Sequence, residues 1–249
     1  MTPDDVLAVF DLAAAAQRGA LATVTLTERR ARTERPGQYR IDLVADAAIL
    51  PVMHAAGMRV LSEESGWTGP EDATVTVVLD PVDGSTNCAR SIPYWAISLC
   101  ALDEDGPWCA LVQNGATGAR YTAVRGEGAE LDHAPLTPSS VAEIGRAVVG
   151  VSGWPPAPPA WRQFRALGSA ALGLCDVAAG HLDGYLDGDA DQHAPWDYLG
   201  ALLVCREAGA LIADAAGREL VTVDAGARRQ LVAAGTKELH ERLHAGTAR

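Results

Sequence analysis

Apolar and polar positions at the start of the chain follow a helical period. Thr2-Pro3-Asp4-Asp5 offers a hydroxyl cap, a proline for the first turn and acids for the positive end of a helix dipole. Val6, Leu7, Val9, Phe10, Ala13 and Ala14 then lay out an apolar face. Residues 29–40 are polar, contain Pro36-Gly37 and read as an exposed loop. A second helix is predicted over 42–56, closed by Gly57. From there the pattern turns to strands. Arg59-Val60-Leu61 is a short one that closes on Ser62-Glu63-Glu64. Residues 75–79 are β-branched and nearly continuous, as a strand buried on both faces should be. Segments 95–102, 108–113 and 119–124 follow at hairpin spacing, with Asp105-Gly106 as a turn.

The proline-rich stretch 155–159 is the strongest break and reads as a surface connection between two halves. A small-residue helix is predicted over 169–180, a short strand at Tyr185-Leu186, a helix over 197–208 and a closing αβ stretch. No internal repeat stands out. The pattern predicts a layered α/β (α+β) fold, with an antiparallel-rich half at 1–145 and a mixed α/β half at 146–249.

Composition narrows the function classes. The 249 residues are 48% hydrophobic and carry 20 Lys+Arg against 32 Asp+Glu, a net charge of −12. An acidic chain repels a phosphate backbone, so no nucleic-acid partner is expected. The same field repels a small phosphorylated substrate, which therefore needs a cation at its site. The five cysteines are widely spaced without a C-x-x-C, and Cys175 and Cys205 read as core fillers. Together with an acidic N-terminus and no run of about 18 apolar residues, this predicts a reduced, cytoplasmic protein with no membrane partner.

The chemistry concentrates at Val77-Val78-Leu79-Asp80-Pro81-Val82-Asp83-Gly84-Ser85-Thr86-Asn87. A buried strand is predicted to end at Asp80, because Pro81 cannot donate to the ladder. Asp83 then lies one short turn away. Two carboxylates beside a Gly-Ser-Thr-Asn turn repel each other unless a cation lies between them. Taken singly these acids have ordinary readings: turn bonds for Asp80 and Asp83, a solvated pair for Glu63-Glu64, an N-cap for Asp197. The spacing excludes the Asp-x-Asp of haloacid-dehalogenase phosphatases and the Asp-Thr/Ser-Gly of aspartic proteases. An EF-hand is excluded too, since its glycine and glutamate places hold Ser85 and Ser91, or Gln192 and Tyr198.

The joint order of these segments resembles the inositol monophosphatase family over nearly the whole chain. Leu61-Ser62-Glu63-Glu64-Ser65 is similar to its Gly/Ser-Glu-Glu segment, and residues 80–87 match its Asp-Pro-Ile/Val-Asp-Gly-Thr/Ser-Thr-Asn signature. Trp196-Asp197-Tyr198-Leu199-Gly200 resembles the family's Trp-Asp helix start, and Gly168-Ser169-Ala170-Ala171 its substrate-side segment. The resemblance implies an αβαβα sandwich, usually a homodimer, and a lithium-sensitive Mg2+-dependent phosphatase. It implies one Mg2+ on Glu63, Asp80 and the Val82 carbonyl, and a second on Asp80, Asp83 and Asp197. Several members hold a third, weaker ion on Glu63. Asp42, Glu64 and Ser85 form the implied catalytic set, with Asp46 as a rival to Asp42 for polarising water. Gly84, Ser85 and Thr86 would hold phosphate, and Gly168, Ser169, Ala170 and Asp187 the substrate. Asp187 stands where the family has a glutamate, on a longer acidic stretch that includes Asp189 and Asp191. His193 reads as a solvated loop histidine.

The expected activity is hydrolysis of inositol monophosphate or a related polyol or sugar phosphate. Alternatives are a 3′-phosphoadenosine or histidinol-phosphate phosphatase, or a metal-binding dimer with a regulatory rather than catalytic role.

Overall fold

Two β-sheets alternate with three layers of helices in the computed structural model, which describes residues 1–155 and 159–247. The outer layer pairs α1 (Pro3–Ala22) with α3 (Arg40–Ala55). In α1 the Thr2 hydroxyl accepts the Asp5 amide at 3.2 Å while the Asp5 carboxylate accepts the Thr2 amide at 2.8 Å. This reciprocal cap fixes where the helix starts. Its inward face is Val6, Phe10, Ala13, Ala14, Gln17 and Leu21. Val6, Phe10, Ala13 and Ala14 are those the periodicity marks; Leu7 and Val9, also marked, are half-buried, and Gln17 and Leu21 were not marked.

The first sheet has the order β2-β1-β3-β4-β5-β6-β7-β8. Its strands are β1 (Arg59–Ser62), β2 (Gly66–Thr68), β3 (Thr76–Asp83), β4 (Ala96–Asp103), β5 (Gly106–Asn114), β6 (Arg120–Val124), β7 (Gly128–Leu131) and β8 (Ala134–Pro135). Every pairing is antiparallel except β1 with β3. The second sheet, order β10-β9-β11-β13-β12, is mixed. It comprises β9 (Val148–Ser152), β10 (Gln163–Arg165), β11 (Gly184–Asp187), β12 (Leu211–Asp214) and β13 (Leu231–Ala234).

Between the sheets lie α5 (Ala170–Ala178) and α6 (Pro195–Ala208), and α7 (Lys237–Ala245) covers the far face. Burial on all sides explains why α6 is apolar nearly all round, from Trp196 through Cys205. The mixed α/β fold is thus the layered one expected.

The structure differs from the sequence-based expectations in four places. Strand β3 runs on past Asp80 to Asp83, through an irregularity in its pairing with β4. Pro81 disturbs the ladder without ending the strand, and its carbonyl accepts a hydrogen bond from the buried Gln17 side chain of α1. Two short helices were not anticipated, α2 (Leu26–Arg29) and α4 (Ser85–Arg90). The 29–40 segment is not wholly exposed: Tyr39 is buried beneath the Arg32 guanidinium, 3.8 Å from its ring centroid. Finally, the proline-rich stretch lies between β9 and β10, two neighbours of one sheet, so it does not join the two halves. Its Pro156, Ala157 and Pro158 lie outside the described residues.

Candidate active site

The acids converge where β1, β3 and α6 end against one another. Glu63 follows β1, Asp80 lies in β3, and Asp197 occupies the first turn of α6. Each offers a carboxylate oxygen within 4.8 Å of the other two. Asp80 is 2% exposed, and one of its oxygens accepts the Val82 amide at 2.9 Å. Burial, reinforced by the charges of Glu63, Asp83 and Asp197, holds its carboxyl well above the ordinary range. Glu63 is pushed up to about 8 by burial and then by Asp197 and Glu64. Among the described residues, the one cation facing these three acids is the His193 ring, 3.4 Å from Asp197.

Asp83 is not part of that cluster. Its carboxylate turns to the start of α5, where the Ser169 hydroxyl donates to it with the amides of Ala171 (2.8 Å) and Ala170 (3.3 Å). Burial raises it to about 6 against these donors. Ser169 also caps α5 by accepting the Leu172 amide at 3.2 Å. Ser169→Ala should therefore cost about 1 kcal/mol of stability and leave Asp83 with amide donors only. A urea midpoint unchanged from wild type would refute this double role.

Gly84 has φ +90, a left-handed conformation that lets β3 turn directly into α4. The amides of Ser85 and Thr86 open that helix and have no intrahelical acceptor. The Ser85 hydroxyl donates to the Val82 carbonyl at 2.9 Å, and the exposed Thr86 accepts from Tyr39 Oη at 3.3 Å. The Val82 carbonyl, a predicted metal ligand, is therefore engaged by Ser85.

Asp42 and Asp46 separate cleanly. Asp46 accepts the Ser62 hydroxyl, which ties α3 to β1. Asp42 accepts the Tyr39 amide through Oδ2 at 2.8 Å, while its Oδ1 is buried with no hydrogen-bond partner. Burial raises Asp42 to about 6, opposed by Ser85 and the Tyr39 amide and assisted by the Glu64 charge. Glu64 itself is held by Gln38 and by Arg35 at 3.5 Å. Burial raises its carboxyl despite these donors.

The substrate-side residues divide. Gly168 and Ser169 line a cavity of about 160 Å³ with Gly150, Arg165, Gly173 and Tyr185. Ala170 is buried at the start of α5. Asp187 does not face that cavity. It is fully buried, with Oδ2 accepting the Leu231 amide at 2.6 Å and Oδ1 facing His193 Nε2 at 3.1 Å. Asp189 and Asp191 are exposed, and Asp191 pairs with Arg218 at 2.6 Å. His193, read from sequence as solvated, is 9% exposed and sits between two carboxylates. Burial alone would lower its pKa, but Asp187 and Asp197 hold it well above its ordinary value. Its spacing of four residues before Asp197 was the one available sign. Asn87, in the signature but given no role there, donates its amide to the Tyr94 and Leu167 carbonyls at 2.7 Å each, locking the signature turn to the segment before α5.

A layered α/β fold that presents buried carboxylates for a metal ion at its strand ends defines the class. The chain belongs to the inositol monophosphatase family, whose model matches residues 7–249. Members of that family are metal-dependent phosphatases. The chain is 31% identical over 226 residues to the fructose-1,6-bisphosphatase/inositol-1-monophosphatase of Methanothermobacter thermautotrophicus, covering 82% of this chain and 80% of that protein. It is 29% identical over 194 residues to Nus factor SuhB of Escherichia coli K12, covering 71% of each. Among solved structures, a Pyrococcus horikoshii protein with similarities to inositol-1 monophosphatase superposes with a TM-score of 0.84 at 24% identity, covering 99% of this chain and 98% of that one. That likeness shows the shared fold. No helix among the described residues is long and apolar enough to cross a membrane.

Proposed function

We propose that the protein is a Mg2+-dependent phosphomonoesterase acting on a small polyol or sugar phosphate, with inositol monophosphate the leading candidate. The observation that carries this reading is the approach of Glu63, Asp80 and Asp197 to within 4.8 Å of one another beside the Gly84 turn. The donor set fits a hard divalent cation: all its ligand atoms are carboxylate oxygens, and burial and neighbouring charge raise the pKa of Glu63 and Asp80. Asp42 Oδ1 adds a buried acceptor left without a hydrogen bond while the nearby Ser85 hydroxyl donates to the Val82 carbonyl.

In this reading Glu63, Asp80 and Asp197 hold the first ions, and Asp83 joins once it yields a donor at α5. Two Mg2+ are proposed, with a third, weaker one on Glu63. When bound, the metal supplies Lewis acidity toward the phosphoryl oxygens and an activated water. The protein supplies the rest. Asp42 Oδ1 accepts a proton of the attacking water, and Glu64 raises the proton affinity of Asp42 through its nearby charge. Ser85 orients that water once its hydroxyl leaves the Val82 carbonyl. The amides of Gly84, Ser85 and Thr86 receive the charge that develops on the phosphoryl oxygens. Gly168 and Ser169 leave room for a ring in the cavity they line, and Ala170 supports them from the first turn of α5. Asp187, with both oxygens engaged, contributes through His193 rather than by direct contact with substrate hydroxyls.

All five cysteines are buried free thiols, which supports a reducing cytoplasmic setting, and a homodimer is the assembly carried over from the family. Phosphate release from a panel of inositol, fructose, histidinol and 3′-phosphoadenosine phosphates, with and without Mg2+, tests the reading. Mg2+-dependent release, highest with polyol phosphates, is the expected result. Millimolar Mg2+ should also raise the melting temperature in a concentration-dependent way. Metal binding without release of phosphate from any substrate would favour the regulatory reading suggested by the name of the SuhB relatives.

A further inference from the structure

Of the described residues that tie down the long acidic connection between β11 and α6, His193 is the one that reaches an acid of the metal cluster. His193 is pinned by its backbone, with its amide donating to the Arg229 carbonyl at 3.0 Å and its carbonyl accepting the Arg229 amide at 2.8 Å. Its ring is also held on both sides. Nε2 lies 3.1 Å from Asp187 Oδ1, and Nδ1 lies 3.4 Å from Asp197 Oδ2. Asp187 cannot move away, because the Leu231 amide of β13 holds its other oxygen at 2.6 Å. A line of polar contacts therefore runs from the second sheet, through Asp187 and His193, to a carboxylate of the cluster.

Resting on the phosphatase reading above, we propose that His193 is a positioning residue that sets the Asp197 carboxylate for metal binding. Asp197 Oδ2 receives the Ala194 amide at 2.7 Å and faces the His193 ring. With Oδ2 held from two directions, rotation of the carboxylate is restricted and the other oxygen is left for the cation. Removing the ring leaves only the Ala194 amide on Asp197 and deprives the buried Asp187 of its side-chain partner across the loop. Groups that orient a metal ligand from behind change metal affinity by roughly 10–100-fold when mutated. The ordinary alternative is that His193 merely satisfies buried Asp187.

Two amide substitutions separate these roles, because each keeps one end of the imidazole. His193→Asn retains a donor near the Nδ1 position facing Asp197, whereas His193→Gln retains one near the Nε2 position facing Asp187. The Mg2+ dissociation constant is measured by calorimetry, alongside metal-free melting temperature and the separate kcat and KM values. His193→Gln is expected to weaken Mg2+ binding at least tenfold, with His193→Asn closer to wild type and KM at saturating Mg2+ little changed. Equal Mg2+ affinity in wild type and His193→Gln, or rescue by Gln but not Asn, overturns the assignment and leaves His193 as a partner of Asp187 alone. If wild type itself binds no Mg2+, the metal-site reading falls with it. If wild type binds Mg2+ and releases no phosphate, only the activity falls, and the Asn–Gln comparison still decides the role of His193.

Discussion

Replacing Asp80 by Asn is expected to reduce phosphate release to below about a tenth of the wild-type kcat, a loss of at least roughly 1.4 kcal/mol of barrier. The same change should hold or raise stability in the absence of metal. Both effects have one cause. Asp80 is buried, faces the charges of Glu63, Asp83 and Asp197, and is fixed by strand β3. A cation stabilises that arrangement, and without one the carboxylates repel each other in a region that water screens poorly. The pH dependence has a definite sign. Ordinary carboxyls titrate near 4, but burial carries Asp42 and Asp83 to about 6 and Glu63 to about 8. Across that window the folded, metal-free protein keeps protons that the unfolded chain has released, so its stability falls as pH rises. Asp80→Asn should make that fall shallower. Urea melts at several pH values with chelator present, and turnover with Mg2+, read the two halves separately. A variant that keeps near-wild-type turnover, or that is less stable without metal, would remove Asp80 from the centre of the site.

What could be read from the chain depended on how local its cause is. Helix α1 was legible because its cap, its first-turn proline and its apolar face all lie within one short segment. The antiparallel core β4-β5-β6 was legible because hairpin spacing reports register directly. Strand β10 is three exposed residues, and α4 is six residues after a glycine, too short for any period to register. The site shows the same division. Residues 80–87 carry their chemistry in sequence, whereas Glu63 and Asp197 stood out only through the joint order of the three segments. Their partners were not legible, because Gln17 on Pro81, Ser62 on Asp46, Ser169 on Asp83 and Leu231 on Asp187 are contacts between distant segments. For Asp187 this reverses the picture: an acid in an exposed-looking stretch becomes fully buried because β11 is central in its sheet. The burial of His193 follows from that reversal.

Gly84→Ala should damage the protein far more than its single added carbon suggests. At φ +90 an alanine pays the left-handed backbone penalty of about 1–2 kcal/mol. The new carbon would also sit 2.9 Å from the Gly168 carbonyl, 3.2 Å from the Tyr94 carbonyl and 3.3 Å from Trp95 Cα. All three are backbone atoms, so no side-chain rotation relieves the contact. Nor can they shift freely, since Asn87 clamps the Tyr94 and Leu167 carbonyls together. Strain and overpacking together predict a loss of roughly 2–4 kcal/mol, read as a lower urea midpoint at unchanged slope. Activity should fall further than stability alone explains. The displaced atoms join the amides proposed to hold phosphate to the start of α5, where Ser169 fixes Asp83. At a temperature where the variant is still folded, kcat should therefore drop at least tenfold. A stability loss under about 1 kcal/mol with full turnover would mean that the turn relaxes without moving either wall of the site.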